Sequence, residues 1–493
     1  MFQQVRRVLK DSAIYGIGSI LPKAVGFFLI PVYTRFLTPE DYGILSLATM
    51  IATMTSVGLM LGQNGSLTLF FRSSQADEDG DAGLRSMLFS VVATVLTFGA
   101  VAMVLLLWAG PHVTPSLVSN ERLTFRPYLE TALWIAYLGV PLALLQAVNR
   151  ARGQAKTHTI FQLASFAINV TATLYFIAAL RQGAIGSLRG TLAASLALLP
   201  VALILLVREM RFSFSLSWLK RSLRFGLPLV PHYFAGWLLT FADRYMLERL
   251  SSTEEVGLYS LAYNVSMALS LVTGSLNQAW SPIYYDLAGD DEQRGLLPRL
   301  TTVYAAGVTV AAIAFLALSR EMLMLLAAER YWDAAGVVPI VTAGYYAFAM
   351  YSVLSTGVFY AKRTGLIMIL TSTAAGVNIV ANLLLIPEYG MYGAAWATLI
   401  SYAVMALGGR MLTGRFVPGS LEDGKILRAA LVFAVAFVAN HGIYSLALPL
   451  PLDIAAKLVL IAGSVVALML LGVVNRDEVR RFVARVAKRK RSA

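Results

Sequence analysis

No cysteine occurs in the 493 residues. That absence excludes disulfides, thiol nucleophiles, thiolate-bound zinc and iron–sulfur clusters, and leaves the compartment open. Charge is scarce too: Asp, Glu, Lys and Arg together make up 14% of the chain, where a soluble domain carries about a quarter. So little charge leaves little surface for water. Long polar loops are missing as well. The largest, about 67–83, 208–223 and 279–297, are too short to fold as soluble catalytic domains. A nucleotide site is also excluded. Gly419–Lys425 reads GSLEDGK, but Ile426 follows where a P-loop needs Ser or Thr, and no strand precedes it. No catalytic residue, metal or cofactor is expected.

What the chain has is apolar length. It is 58% hydrophobic with a mean hydropathy of +0.68, and its apolar residues fall in blocks of 20 or more, enough to cross about 30 Å of hydrocarbon. Spans are expected at 13–36, 42–66, 84–110, 127–149, 158–180, 184–207, 224–248, 255–278, 298–319, 334–360, 364–386, 391–413, 426–447 and 453–474. The second, seventh and tenth are the most polar. The expected fold is therefore an all-α integral membrane protein of about fourteen transmembrane helices. Arg6, Arg7 and Lys10 before the first span look like a signal peptide, but the apolar stretch is too long for one and carries Lys23 in its middle. It reads as a retained first helix.

The net charge of +13 has a membrane explanation, with no nucleic acid partner. An even number of spans puts both termini on one side, and Lys and Arg favour that side by roughly three to one, which makes it the cytoplasm. The densest clusters are Arg208, Arg211, Lys220, Arg221 and Arg224, and the tail from Arg476 to Arg491. In that tail (475–493), Val479, Phe482, Val483 and Val486 recur at helical spacing among cations. It reads as an amphipathic cytoplasmic helix on anionic membrane lipid, or as a solvated tail that fixes topology.

The chain repeats itself. Residues 35–48, RFLTPEDYGILSLA, align without gaps with 249–262, RLSSTEEVGLYSLA. Arg35/Arg249, Glu40/Glu254, Gly43/Gly257, Ser46/Ser260, Leu47/Leu261 and Ala48/Ala262 are identical. A second pair, GAIGSLRGTL (183–192) and GMYGAAWATL (390–399), shares Gly183/Gly390, Gly186/Gly393, Thr191/Thr398 and Leu192/Leu399. The expected organisation is an N-lobe of six helices over 1–207, a C-lobe of six over 220–413, and two further helices over 426–474. Six is even, so the lobes are parallel repeats about an axis along the membrane normal. A central cavity between two such lobes suits alternating access.

The opening SAIYGIGSILPKAVGFFLIPVYTRFLTPEDYGILSLA (12–48), the segment ADRYMLERLSSTEEVGLYSLAYN (242–264), QAWSPIYY (278–285) and the fourteen-span layout resemble the Wzx-type flippases of bacterial polysaccharide biosynthesis. That family lies in the MOP exporter superfamily, which also holds the MATE transporters. The resemblance covers nearly the whole chain. It implies a multi-pass protein of the bacterial inner membrane that carries an undecaprenyl-diphosphate-linked oligosaccharide from the cytoplasmic to the periplasmic leaflet. O-antigen, capsule or exopolysaccharide assembly would be the setting, with other polysaccharide-assembly membrane proteins as partners.

Charges at membrane depth are costly and mark function. Lys23 lies about nine residues into the first span, roughly 13 Å at 1.5 Å per residue, after Pro22, which disturbs the helix there. A cation facing a cavity suits a lipid-linked diphosphate; pairing or snorkelling is its bland alternative. Asp243 and Arg244 read as a gate or coupling pair, or as an interfacial anchor. His232, after Pro228 and Pro231, could titrate near neutral pH in a broken helix or simply pack. Asn169 and Asn378, mid-span in the fifth helix of each lobe, could bind sugar hydroxyls or join helices. Tyr351, the deepest tyrosine of the tenth span, could stack on sugar. Arg150, Arg152 and Arg363 at cytoplasmic helix ends could draw an anionic head group to the cavity mouth.

Two other readings remain. A MATE-like cation-coupled exporter would need an embedded carboxylate for its cargo, where the first span carries Lys23. A membrane glycan polymerase or ligase would display a sizeable periplasmic loop, and the longest here, about 111–126, is short.

Overall fold

The computed structural model describes residues 27, 29–73, 80–290 and 292–475, and every regular element among them is a helix. In chain order they are α1 (Ile30–Phe36), α2 (Pro39–Leu59), α3 (Gln63–Ser73), α4 (Gly80–Leu117), α5 (Glu130–Ala151), α6 (Ala155–Leu174), α7 (Gly183–Glu209), α8 (Leu216–Gly226), α9 (Leu229–Leu250), α10 (Thr253–Gly289), α11 (Leu297–Leu326), α12 (Val338–Leu354), α13 (Thr356–Tyr360), α14 (Thr364–Phe416), α15 (Asp423–Ser445) and α16 (Leu450–Leu470).

Eleven of the described helical segments are long and apolar enough to cross a membrane. One of them, α14, is two spans joined at Gly390, whose φ of 52° and ψ of −129° break the helix. α9 falls below that apolarity because it carries Asp243, Arg244, Glu248 and Arg249. Of the first span only α1 lies within the described residues. Each expected span from the second to the fourteenth therefore has its helix.

The structure corrects several boundaries: helix continues to Ser73 and to Gly289, where the loops 67–83 and 279–297 were expected. The second span, read as one helix over 42–66, is α2 and α3 with a break at Leu61 (φ 48°) and Gly62 (φ 71°). A Cβ on Gly62 would sit 2.0 Å from the Gly226 carbonyl oxygen, so the chain turns where only glycine fits. The stretch 208–223, read as a loop, contains α8. Ser215 caps it by accepting from the Trp218 N–H, and it buries Trp218, Leu219, Ser222 and Gly226 while exposing Lys220, Arg221 and Arg224. Pro228 then stops the chain before α9 starts.

Local chemistry explains the helix starts. Thr38 accepts from the Asp41 N–H at 3.1 Å and Asp41 accepts from the Thr38 N–H at 3.3 Å, a reciprocal box with Pro39 in the first turn. Its repeat counterpart is present at α10, where Ser252 accepts from the Glu255 N–H at 3.2 Å. The glycine pairs correspond too. Gly183 and Gly390 both have positive φ, at 61° and 52°. A Cβ on Gly186 or Gly393 would meet the carbonyl oxygen of Phe176 at 3.0 Å or Leu385 at 2.3 Å.

The chain forms two compact units, Met1–Gly257 and Leu258–Ala493. In the first, Leu67, Met87, Leu88, Val91, Leu144 and Val148 lie in one core contributed by α3, α4 and α5. At one end Arg152 pairs with Asp81 (3.2 Å) and Glu209 (2.9 Å), tying α4, α5 and α7 together. In the second unit α12 is the most enclosed span, 83% buried, packed by α11 and α14. An apolar groove of about 990 Å³ runs along α12, α14 and α15. Large apolar side chains such as Val104, Trp108, Leu384 and Val435 are exposed on the helices, as a hydrocarbon-facing surface requires.

Candidate functional site

α9 carries four charged residues, Asp243, Arg244, Glu248 and Arg249, and five aromatics, arranged along its length. At its start Pro231, His232, Tyr233 and Phe234 are exposed. His232 lies against Tyr233, ring centroids 5.9 Å apart. Further along, Phe234 stacks on Trp237 at 5.4 Å, Trp237 lies 6.1 Å from Phe241, and the Arg244 guanidinium covers Phe241 at 5.2 Å. This ladder follows the helical i, i+3, i+4 spacing. Trp237 Nε1 donates to the Met50 carbonyl and Thr53 Oγ1, both at 3.2 Å, so α9 is fastened to α2 at mid-length.

Beside the ladder's start a cavity of about 420 Å³ opens between α3 and the α8–α9 junction. Asn64, Gly65, Thr68, Leu69, Phe225, Leu229 and Tyr233 line it.

The far end of α9 holds buried charge. Asp243 and Arg244 are 2% and 4% exposed. Asp243 accepts from its neighbour's backbone N–H at 2.8 Å and lies 3.3 Å from the guanidinium. One turn on, Glu248 is buried and accepts from the backbone N–H groups of Ser119 (2.5 Å) and Asn120 (3.0 Å). Asn120 Nδ2 donates to Glu40 (3.0 Å) and Thr253 (2.9 Å), and Arg122 bonds Glu40 and Asp41. The Glu40 carboxylate beside it holds Arg122 still more firmly protonated than usual. Residues 119–122 are thus clamped to the starts of α2 and α10 and the end of α9.

The other expected site residues lie elsewhere, and Lys23 lies outside the described residues. Asn169 is half-buried mid-way along α6. Asn378 is buried and accepts from Asn382 at 3.0 Å, one turn away on α14. Tyr351 is buried in α12, 5.9 Å from Phe348. Arg150 is exposed at the end of α5, while Arg152 is taken up by Asp81, Glu209 and the Phe71 ring. Arg363 stands just before α14 and lies over Phe416 at 5.6 Å. The expected residues brought together on one element are therefore His232, Asp243 and Arg244.

Sequence reasoning missed Glu248 and a second buried charge group. Lys457 of α16, 1% exposed, bonds Asp453 one turn away at 2.7 Å and Glu321 of α11. A Lys and an Asp four residues apart in an apolar span are a readable signal. The acid that joins them from α11 is not.

Comparison with known proteins adds the following. The family model described as polysaccharide biosynthesis protein matches residues 8–287. The Lsg locus protein 1 of Haemophilus influenzae is 25% identical over 290 residues, covering 57% of this chain and 66% of that relative. Among solved structures, the Lipid II flippase MurJ in an inward closed conformation superposes with a TM-score of 0.69 at 14% identity, over 92% of this chain and 98% of that one. An inward-facing multidrug resistance MATE family transporter of the MOP superfamily gives 0.61 at 15% identity, over 80% and 95%. These structures share the fold.

Proposed function

The chain belongs to the polysaccharide biosynthesis protein family, and on that premise we propose that it is a flippase. It carries undecaprenyl-diphosphate-linked oligosaccharide repeat units from the cytoplasmic to the periplasmic leaflet of the bacterial inner membrane, for O-antigen, capsule or exopolysaccharide assembly. The observation that carries this is the family match over 8–287. The fold shared with the Lipid II flippase MurJ along 92% of the chain is consistent with it. Nothing in the reading requires catalysis: the protein moves its cargo without changing it.

The repeat supplies the movement. Two six-helix lobes, 1–207 and 220–413, alternate access to a cavity in which Lys23 meets the diphosphate. The two helices over 426–474 follow the second lobe, and the cationic residues beyond 475 hold anionic lipid. Asp243 and Arg244 act as the gate or coupling pair. Asn169, Asn378, Tyr351 and His232 face the cargo, and Arg150, Arg152 and Arg363 mark the mouth.

The test is a deletion strain of the native host. Lipid-linked oligosaccharides are extracted and efflux of a lipophilic cation dye is followed in parallel. Accumulated lipid-linked repeat units with loss of surface polysaccharide and normal dye efflux support the flippase. Unchanged glycolipids with slowed efflux would replace it with a MATE-like exporter.

A further inference from the structure

The cavity beside α3 exists because of two glycines. At Gly62 the chain comes within a backbone's width of Gly226, which sets α3 against the end of α8. Three residues on, Gly65 leaves the wall bare: a Cβ there would come within 2.5 Å of Leu229 Cδ1 and 3.3 Å of the Tyr233 hydroxyl. The elements around this gap are rigidly joined. Ser66 donates to the Ser222 carbonyl at 2.7 Å and Ser222 donates to Gln63 at 2.5 Å.

The polar groups on the wall are specific in kind. Asn64 and Thr68 stand one helical turn apart on the same face of α3. The Asn64 side-chain oxygen is buried and accepts no hydrogen bond from the described residues; the amide torsion is soft, so either of its ends can turn to the cavity. Thr68 gives its proton to the Asn64 carbonyl at 2.8 Å, which leaves its oxygen as an acceptor. Across the gap is the Tyr233 phenol, a donor, and the rings of Tyr233 and Phe225 supply flat apolar walls. No lining residue is charged.

We propose that this cavity is a saccharide subsite that holds one sugar ring of the lipid-linked cargo. A pyranose offers hydroxyls that donate and accept around its rim and C–H faces that lie against aromatic rings. The lining matches both. A diphosphate would need a cation, which the lining lacks, and an isoprenoid tail would leave the Asn64 amide oxygen and the Tyr233 phenol facing hydrocarbon. The volume lies in the range of ordinary small-molecule sites, about 300–1,000 Å³. By the charge bias of the loops, these ends of α3, α8 and α9 face the cytoplasm, the side on which the cargo is loaded. The inference deepens the flippase reading and rests on it.

The experiment compares two probes on the purified full-length protein: the lipid-linked oligosaccharide pool extracted from the deletion strain, and undecaprenyl diphosphate without sugar. The near-isosteric variants Asn64→Leu, Thr68→Val and Tyr233→Phe each remove polar atoms and keep most of the volume. Native mass spectrometry should show each variant binding the oligosaccharide lipid about fivefold to tenfold more weakly, with the bare diphosphate lipid bound as by the wild type. Equal weakening toward both probes would reassign the cavity to the shared anchor, and unchanged binding of both would remove it from the cargo path; either overturns the subsite. If the deletion strain accumulates no lipid-linked oligosaccharide, the flippase reading itself fails and the subsite falls with it.

Discussion

Lys457 is buried in a span with two acids around it, and its cost depends on how it is altered. Two carboxylates on one ammonium are tolerable because each has a short contact with Nζ. Removing the lysine alone leaves Asp453 and Glu321 facing each other without a counter-charge. Breaking a buried pair this way costs about 3–5 kcal/mol, whereas replacing all members by neutral groups is often near-neutral. Lys457→Met should therefore lower the melting temperature of the detergent-purified protein markedly, and Lys457→Met with Asp453→Asn and Glu321→Gln should recover most of it. A single variant as stable as the triple one would show that the triad is not a structural staple. Lys23 calls for the opposite readout. Lys23→Ala should abolish transport with expression intact and Lys23→Arg should retain part of it. Full activity in Lys23→Ala would remove it from the diphosphate role. Of these charges only Lys23 stood out in the sequence, because it interrupts an apolar run alone. Glu248 sits beside Arg249 near a span end and Lys457 lies one turn from Asp453, and both draw their importance from partners more than a hundred residues away.

At the scale of elements, the apolar blocks marked nearly every span, since crossing a fixed hydrocarbon thickness imposes a length that the sequence must display. Breaks within spans were less visible. The turn at Leu61–Gly62 opens the polar run Gly62–Ser66 inside the second span, and the close approach of Gly226 is what shows that the helix must break there. α8 escaped because it is short and amphipathic, with a cationic face that reads as loop. Gly390 was legible as part of a repeated pair with Gly183, though not as a kink. At φ 52° and ψ −129° it occupies a region that residues with a Cβ avoid, at a cost of order 1–3 kcal/mol. Gly390→Ala should lower stability by about that amount. Gly376→Ala, in the same helix where a Cβ would meet nothing within 4 Å, should be neutral or slightly stabilising. Thermal unfolding of the two variants side by side decides it; equal melting temperatures would mean that the kink carries no strain penalty.

At the scale of the whole molecule, the starts of α2 and α10 meet in a way the repeat makes reciprocal. A Cβ on Gly43 would meet the Thr253 carbonyl at 2.0 Å, and one on Gly257 would meet the Pro39 carbonyl at 1.8 Å. Residues 39 and 253, and 43 and 257, are the same positions in the two copies, so the contact is isologous within one chain. All four lie in the first compact unit. Around this point Glu248, Asn120 and Arg122 fasten residues 119–122 to both copies. If the two halves alternate access, a contact between matching helix starts on one side must part once in each cycle. The chain's lack of cysteine makes that testable without background thiols. With Asn120→Cys and Thr253→Cys, whose native side chains touch at 2.9 Å, a short thiol-reactive cross-linker should stop transport of lipid-linked oligosaccharide in cells, and a cleavable version should restore it on reduction. Each single-cysteine variant should keep working under the same treatment. Transport that continues through a complete cross-link would mean that this end stays shut throughout the cycle, and the moving boundary would then have to lie away from the contact between the two copies of the repeat.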